Sequence, residues 1–264
     1  IGIFGHIDHG KTSLLQKLSG KWTDTHSEEI KRGITIKLGY ADAIISKDGE
    51  NYNIKGKGKP IKHVSFIDSP GHEMLMATTL SGAALIDGAI LVIAANEGIK
   101  PQTQEHLMVL QAKKVEILIV VQNKIDLVDK EQARNNYLEI KKFLGEKYSN
   151  AKIIPVSTQQ EVNICEILKA IAEIPMPKRN LGDIPIFIVA RSFDVNKPGT
   201  IPKDLHGVVL GGTLIQGTLK VGEELEIKPG RMTKEGNDKK FTPIKTRILS
   251  LFKGSKKTSE LTPG

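Results

Sequence analysis

Gly5-His6-Ile7-Asp8-His9-Gly10-Lys11-Thr12 decides how the rest of this 264-residue chain is read. Two glycines bracket four residues and Lys-Thr follows, the spacing of a phosphate-binding P-loop. Such a loop wraps an anion so that successive backbone N–H groups point inward, and the helix that follows aims its positive end at the same charge. Ile1 to Phe4 reads as a strand entering the loop, and Lys11 to Ser19 as the helix leaving it, with Gly20 placed to end that helix. Lys11 is expected to neutralise the β and γ phosphates, the Thr12 hydroxyl to ligate Mg²⁺, and Asp8, His9, Gly10 and Ser13 to complete the phosphate cradle.

Outward from the loop, the first 180 residues alternate short apolar runs with segments of helical period, the pattern of a doubly wound, mostly parallel α/β sheet. Strands are expected at His63–Ile67, Ala89–Ala94, Ile117–Gln122 and Lys152–Val156, and amphipathic helices at Gln102–Lys113, Glu131–Leu144 and Asn163–Ile174. Cys165 falls in the last of these patterns and is read as a core residue. Residues 47–60 mix lysine, glycine and asparagine and read as an exposed hairpin or loop. Pro175, Pro177, Gly182 and Pro185 mark a linker. Beyond it, residues 181–264 show short Val/Ile/Leu-rich segments at Ile186–Ala190, Gly207–Leu210, Glu224–Ile227 and Thr246–Phe252 between glycine turns. That pattern suggests a small β-barrel. The barrel reads as incomplete, and the chain as a trimmed piece of something longer.

The discriminator of the base lies far downstream. Asn123-Lys124-Ile125-Asp126 follows an apolar strand. The Asp126 carboxylate can accept hydrogen bonds from guanine N1–H and its exocyclic amine, a pair of donors that adenine does not present. An unpaired acceptor there would cost roughly 1–3 kcal/mol and so reject the wrong base. Asn123 is expected to brace the loop and the Lys124 stem to lie over the purine. Ser157, Thr158 and Gln159, after the last strand, are expected to reach guanine O6 through backbone N–H groups.

Asp68-Ser69-Pro70-Gly71-His72 follows the strand at 63–67. Asp68 is placed to reach Mg²⁺ through water, and the Gly71 N–H to sense the γ-phosphate. His72 is the candidate to orient the attacking water. Thr35, within Lys31-Arg32-Gly33-Ile34-Thr35-Ile36, is a candidate to close over the metal when triphosphate is bound. The candidate catalytic set is therefore Lys11, Thr35, Gly71 and His72, and the candidate metal set Thr12, Thr35 and Asp68.

These motifs resemble those of the translational GTPases, the group that includes elongation factor Tu. The stretches Asp24 to Thr35 and Arg191 to Gly199 resemble, within that group, the gamma-subunit family of archaeal and eukaryotic initiation factor two. The resemblance covers nearly the whole chain. It implies GTP and GDP as ligands, slow unaided hydrolysis, and a trimer with alpha and beta subunits that carries initiator methionyl-tRNA to the small ribosomal subunit. An elongation-type carrier, including the selenocysteine-specific one, would share the chemistry with a different tRNA. A scaffold that holds GTP without turnover, and an ATP-using enzyme, are the readings from other classes. The chain departs from many relatives in having no cysteine between 41 and 62, so a thiolate zinc site is not expected. It also departs in having Ser157-Thr158 where the family commonly has Ser-Ala.

Bulk properties agree with a nucleotide-binding protein without deciding it. Apolar residues make up 39% and charged residues 26%, as in a soluble globular chain, and no apolar run is long enough to span a bilayer. The net charge of +8 is concentrated in the shorter C-terminal part, where 14 Lys and Arg face 9 acidic residues, against 24 and 21 in residues 1–180. Contacts to phosphates are compatible with that charge, whereas 5% aromatic residues argue against a base-stacking surface. A single cysteine excludes an internal disulfide and fits a reducing, cytoplasmic setting.

Overall fold

Valine, isoleucine and leucine dominate the central runs of the N-terminal half, and they do so because both faces of the sheet they form are covered. A computed structural model describes residues 1–22, 38–70, 76–205, 207–235, 238–254 and 256–263. It separates into two compact units, Ile1–Met176 and Pro177–Gly264, dividing a few residues before the expected boundary at 180/181.

The first unit is built on a seven-stranded sheet. Its strands are β1 (Gly2–Gly5), β2 (Gly39–Asp48), β3 (Asn51–Asn53), β4 (Lys59–Asp68), β5 (Gly88–Ala94), β6 (Ile117–Asn123) and β7 (Lys152–Pro155). They lie in the order β3-β2-β4-β1-β5-β6-β7. Neighbours from β4 to β7 run parallel, while β2 pairs antiparallel with β3 and β4. Residues 47–60 are thus the β2–β3 hairpin and the lead into β4, rather than a free loop.

Alternation along the strands sorts side chains into two cores. Ile3, Ile90 and Val92 face one side, with Leu14, Leu15 and Leu18 of α1 (Lys11–Ser19). Phe4, Leu91 and Ile93 face the other, with Leu107, Leu110, Ile140 and Leu144. The helices on that second face are α2 (Met76–Ala83), α3 (Pro101–Ala112) and α4 (Lys130–Leu144), while α5 (Ile164–Glu173) joins α1 on the first. One expectation fails on α5. Cys165 is exposed, because Ile167, Leu168 and Ile171 define the buried stripe and Cys165 stands beside Glu166 on the opposite side.

The second unit is rich in β-strand, as expected, and three of its strands, at Ile186–Phe193, Val209–Gln216 and Glu224–Glu235, are longer than the sequence segments suggested. β8 (Ile186–Phe193) pairs antiparallel with β9 (Val209–Gln216), and β11 (Glu224–Glu235) with β12 (Asp238–Arg247). Short ladders join β10 (Leu219–Lys220) to β15 (Glu260–Leu261) and β13 (Leu251–Lys253) to β14 (Lys256–Thr258). The expected strand at Thr246–Phe252 is instead the end of β12, a break at Ile248–Ser250, and the start of β13. No helix among the described residues is long and apolar enough to cross a membrane.

Candidate nucleotide-binding site

The loop between β1 and α1 bends because three of its residues take positive φ: Gly5 at 139°, Asp8 at 60° and Gly10 at 91°. Two of the glycines are sterically required. A Cβ on Gly5 would stand 2.3 Å from the Val92 carbonyl oxygen, and one on Gly10 would stand 2.4 Å from Asn123 Nδ2. Gly10 also serves as the N-cap of α1 and carries no side-chain cap, which leaves the positive end of the helix to the loop. Lys11 is buried and its ammonium donates to the His6 carbonyl at 2.7 Å, crossing the loop it closes. Ser13 is exposed, as is Asp8.

The close approach at Gly10 is half of a larger contact. Asn123, at the end of β6, is 2% exposed and donates from Nδ2 to the His9 carbonyl at 2.9 Å. Its Oδ1 accepts from the Thr158 backbone N–H at 3.1 Å and from the Thr158 hydroxyl at 2.8 Å. One amide therefore joins all three loops that were singled out separately, those at 5–12, 123–126 and 157–159. Ser157 and Thr158 are buried, while Asp126 and Gln159 are exposed at the same end of the sheet. Lys124 takes φ 60°, and Ile125–Leu127 form a single 3₁₀ turn that carries Asp126.

At the end of β4, Asp68 is fully buried and its Oδ2 accepts from the Thr12 hydroxyl at 2.8 Å. A hydroxyl and a carboxylate held together beside the positive end of a helix form a hard oxygen donor pair suited to a Mg²⁺ ion that keeps most of its waters. Among the described residues, no cluster of three or more His, Cys, Asp and Glu side chains is grouped to hold a metal by itself. Thr35, Gly71 and His72 lie outside the described residues.

Three residues that sequence spacing did not single out brace this site. His106 on α3 is buried, and its Nδ1 accepts from the Gly5 backbone N–H at 2.9 Å. Gln102, one helical turn earlier, accepts from the Ile7 N–H at 3.4 Å. Their four-residue spacing on one helix was readable, but nothing local to it pointed at the P-loop. Glu97, in the loop after β5, accepts from Lys124 Nζ at 3.2 Å, and its other oxygen lies 3.9 Å from His9 Nε2. Burial above all holds both histidines neutral: His9 is pushed down to about 4, and His106 to about 3.

Comparison with known proteins places this geometry in a family. Residues 1–176 match the Elongation factor Tu GTP binding domain. The full chain is 56% identical to the translation initiation factor 2 subunit gamma of Methanococcus vannielii, of which it spans 68%, and 54% identical to that of Methanocaldococcus jannaschii, of which it spans 67%. Among solved structures, all of the chain superposes on 40% of a bacterial selenocysteine-specific elongation factor, EF-Sec, with a TM-score of 0.79 at 28% identity. Nearly all of it, 99%, superposes on 48% of elongation factor SelB from Methanococcus maripaludis in complex with the GTP analogue GppNHp, with a TM-score of 0.75 at 27% identity.

Proposed function

We propose, from the premise that the chain belongs to the gamma-subunit family of translation initiation factor 2 within the translational GTPases, that its bound guanine nucleotide controls the delivery of initiator methionyl-tRNA to the small ribosomal subunit. As a member it binds GTP and GDP and hydrolyses GTP. The observation that carries the reading is the Asn123 amide, which ties the P-loop at His9 to the base-selecting loops on either side of it. A cleft built this way suits one nucleotide, with phosphates over Gly10 to Ser13 and guanine beside Asp126, Ser157, Thr158 and Gln159.

Each residue then has a task. The backbone N–H groups from Asp8 to Ser13 and the Lys11 ammonium hold the β and γ phosphates. Asp126 selects guanine, and Lys124 covers the ring. Thr12, Asp68 and Thr35 would hold Mg²⁺, directly or through water. Mg²⁺, when bound, neutralises charge developing on the transferred phosphate. Gly71 senses the γ-phosphate and His72 orients the water that attacks it. Thr35 and Gly71 belong to two segments, around 24–36 and 68–80, whose conformation follows the nucleotide and sets affinity for tRNA. Alpha and beta subunits are the expected partners, in the cytoplasm, and no zinc is expected.

The test is nucleotide-dependent binding of tRNA by the full-length protein. With GTP bound it should prefer initiator over elongator methionyl-tRNA, and with GDP it should lose most of that affinity. Equal affinity for both tRNAs would defeat the initiation reading. The likeness to EF-Sec and SelB supports one second reading, a selenocysteinyl-tRNA carrier. The same assay decides it by including that tRNA.

A further inference from the structure

Glu97 has no part in phosphate binding, metal binding or base selection as described above, yet it sits where those functions meet. The loop that carries it is fixed to the base-selecting strand, since the Ala95 N–H donates to the Asn123 carbonyl at 2.7 Å and the Gly98 N–H turns back to Ala94 at 2.9 Å. From that loop Oε1 accepts from Lys124 Nζ at 3.2 Å, while Oε2 faces His9 Nε2 at 3.9 Å. The His9 ring is fully buried, and its Nδ1 is 3.3 Å from the Val92 carbonyl oxygen. The Lys124 and Glu97 side chains are only 27% and 30% exposed, so the pair is partly shielded from water.

We propose that Glu97 is a positioning residue for guanine nucleotide binding, one that holds the Lys124 stem at the base end of the site. The inference rests on the reading of 123–126 as the guanine site and goes beyond it by naming what orders that site before nucleotide arrives. A lysine stem is long and rotamer-rich, and covering a purine ring requires it to be held in one conformation. A carboxylate that already grips the ammonium removes that ordering from the binding step, which is preorganisation. It also gives the ammonium a counter-charge at the base end, where it would otherwise be drawn toward the phosphates beside Lys11. Burial pushes the Glu97 carboxyl up, but the hydrogen bond from Lys124 and the positive charges around it outweigh that and leave it below its ordinary value.

Stopped-flow release of a fluorescent GDP from the full chain tests this. Glu97→Gln should accelerate release of GDP and of a GTP analogue alike, by about 5- to 10-fold, as expected for loss of a partly shielded ion pair. The hydrolysis rate at saturating GTP should stay within about twofold of the unsubstituted chain, since the effect lies in binding. Glu97→Asp, with the charge retained on a shorter stem, should fall between the two. In a Lys124→Met background, Glu97→Gln should add less than about twofold, because its target is gone. Release unchanged by Glu97→Gln, or the same acceleration with and without the Lys124 ammonium, would overturn the proposal. Asp126→Asn run in parallel separates the two layers. If it fails to shift preference from GTP toward xanthosine triphosphate, the guanine-site reading falls, whereas a clean shift with no Glu97 effect sinks only the positioning role.

Discussion

His106 shows how one buried side chain beside the P-loop can make the stability of the first unit depend on pH. Its Nδ1 must stay unprotonated to accept the Gly5 N–H, and burial, helped by Lys11 and His6, holds it down to about 3. His9, buried within the P-loop, is held down to about 4. In the unfolded chain both return to about 6.5. Between those values the unfolded state binds protons that the folded state does not, so stability is fully present above about pH 6.5 and is lost as pH falls, down to about 4 for His9 and about 3 for His106. Each histidine contributes a slope of at most ~1.4 kcal/mol per pH unit in that window. His106→Asn keeps an acceptor oxygen near the Nδ1 position and cannot titrate. Urea unfolding of the first unit between pH 4.5 and 7.5 should therefore show a shallower loss of stability for the variant than for the native chain. Parallel curves would mean that His106 is not buried neutral. At this scale the P-loop and the bracing role of Asn123 were legible from spacing alone, because such loops demand fixed residue types in a short run, and the same spacing singled out Asp126, which lies on an exposed 3₁₀ turn. Glu97, Gln102 and His106 were not, since their partners lie far away in sequence and no local pattern marks them.

Among the elements, α5 is held at its end by a residue more than a hundred positions earlier. The Lys62 ammonium on β4 donates to the carbonyl oxygens of Ile171 and Ala172, each at 3.0 Å, and to that of Ile174. These are carbonyls of the last turn and just beyond it, at the negative end of the helix dipole, so a cation there both caps and neutralises. Partial burial pushes the Lys62 ammonium down from its usual range. Lys62→Met keeps the stem and removes the cap. It should cost about 1–3 kcal/mol, the value of hydrogen bonds to a charged donor, read as a lower denaturation midpoint of the first unit at unchanged slope. A change below about 0.3 kcal/mol would show that water replaces the lysine. The sequence pattern identified α1, α3, α4, α5 and the five parallel strands, β1 and β4 to β7, to within a few residues. The strand β2 was not anticipated, although its inward residues Ala41, Ala43 and Ile45 alternate with outward ones. Two of those three are alanines, a weak apolar signal, and it is pairing with β3 and β4 that reveals the strand.

For the molecule as a whole, apolar burial is unevenly shared. Both core clusters lie within Ile1–Met176, whereas the described hydrophobic side chains of Pro177–Gly264 are mostly exposed, Ile184 at 83% and Leu249 at 77%, with Leu214, Ile248 and Leu251 buried. Apolar burial is the main favourable term in folding, so the first unit should stand alone. A fragment ending at Met176 is expected to unfold cooperatively and to bind GDP within about threefold of the full chain, a difference under 1 kcal/mol. Isothermal titration against both would show it, and a fragment that neither folds nor binds would mean that the nucleotide site depends on residues beyond 176. The amino-acid sequence by itself determined that this is a P-loop protein with a parallel α/β domain, and which base its downstream motif suits, because glycine spacing, strand period and hydrogen-bonding side chains act over a few residues. Only the tertiary structure decided that Asn123 reaches the P-loop carbonyl, that His106 receives the Gly5 N–H and that Glu97 grips Lys124. Those contacts join segments separated by 27 to 114 positions, and it is the sheet order that brings them within hydrogen-bonding distance.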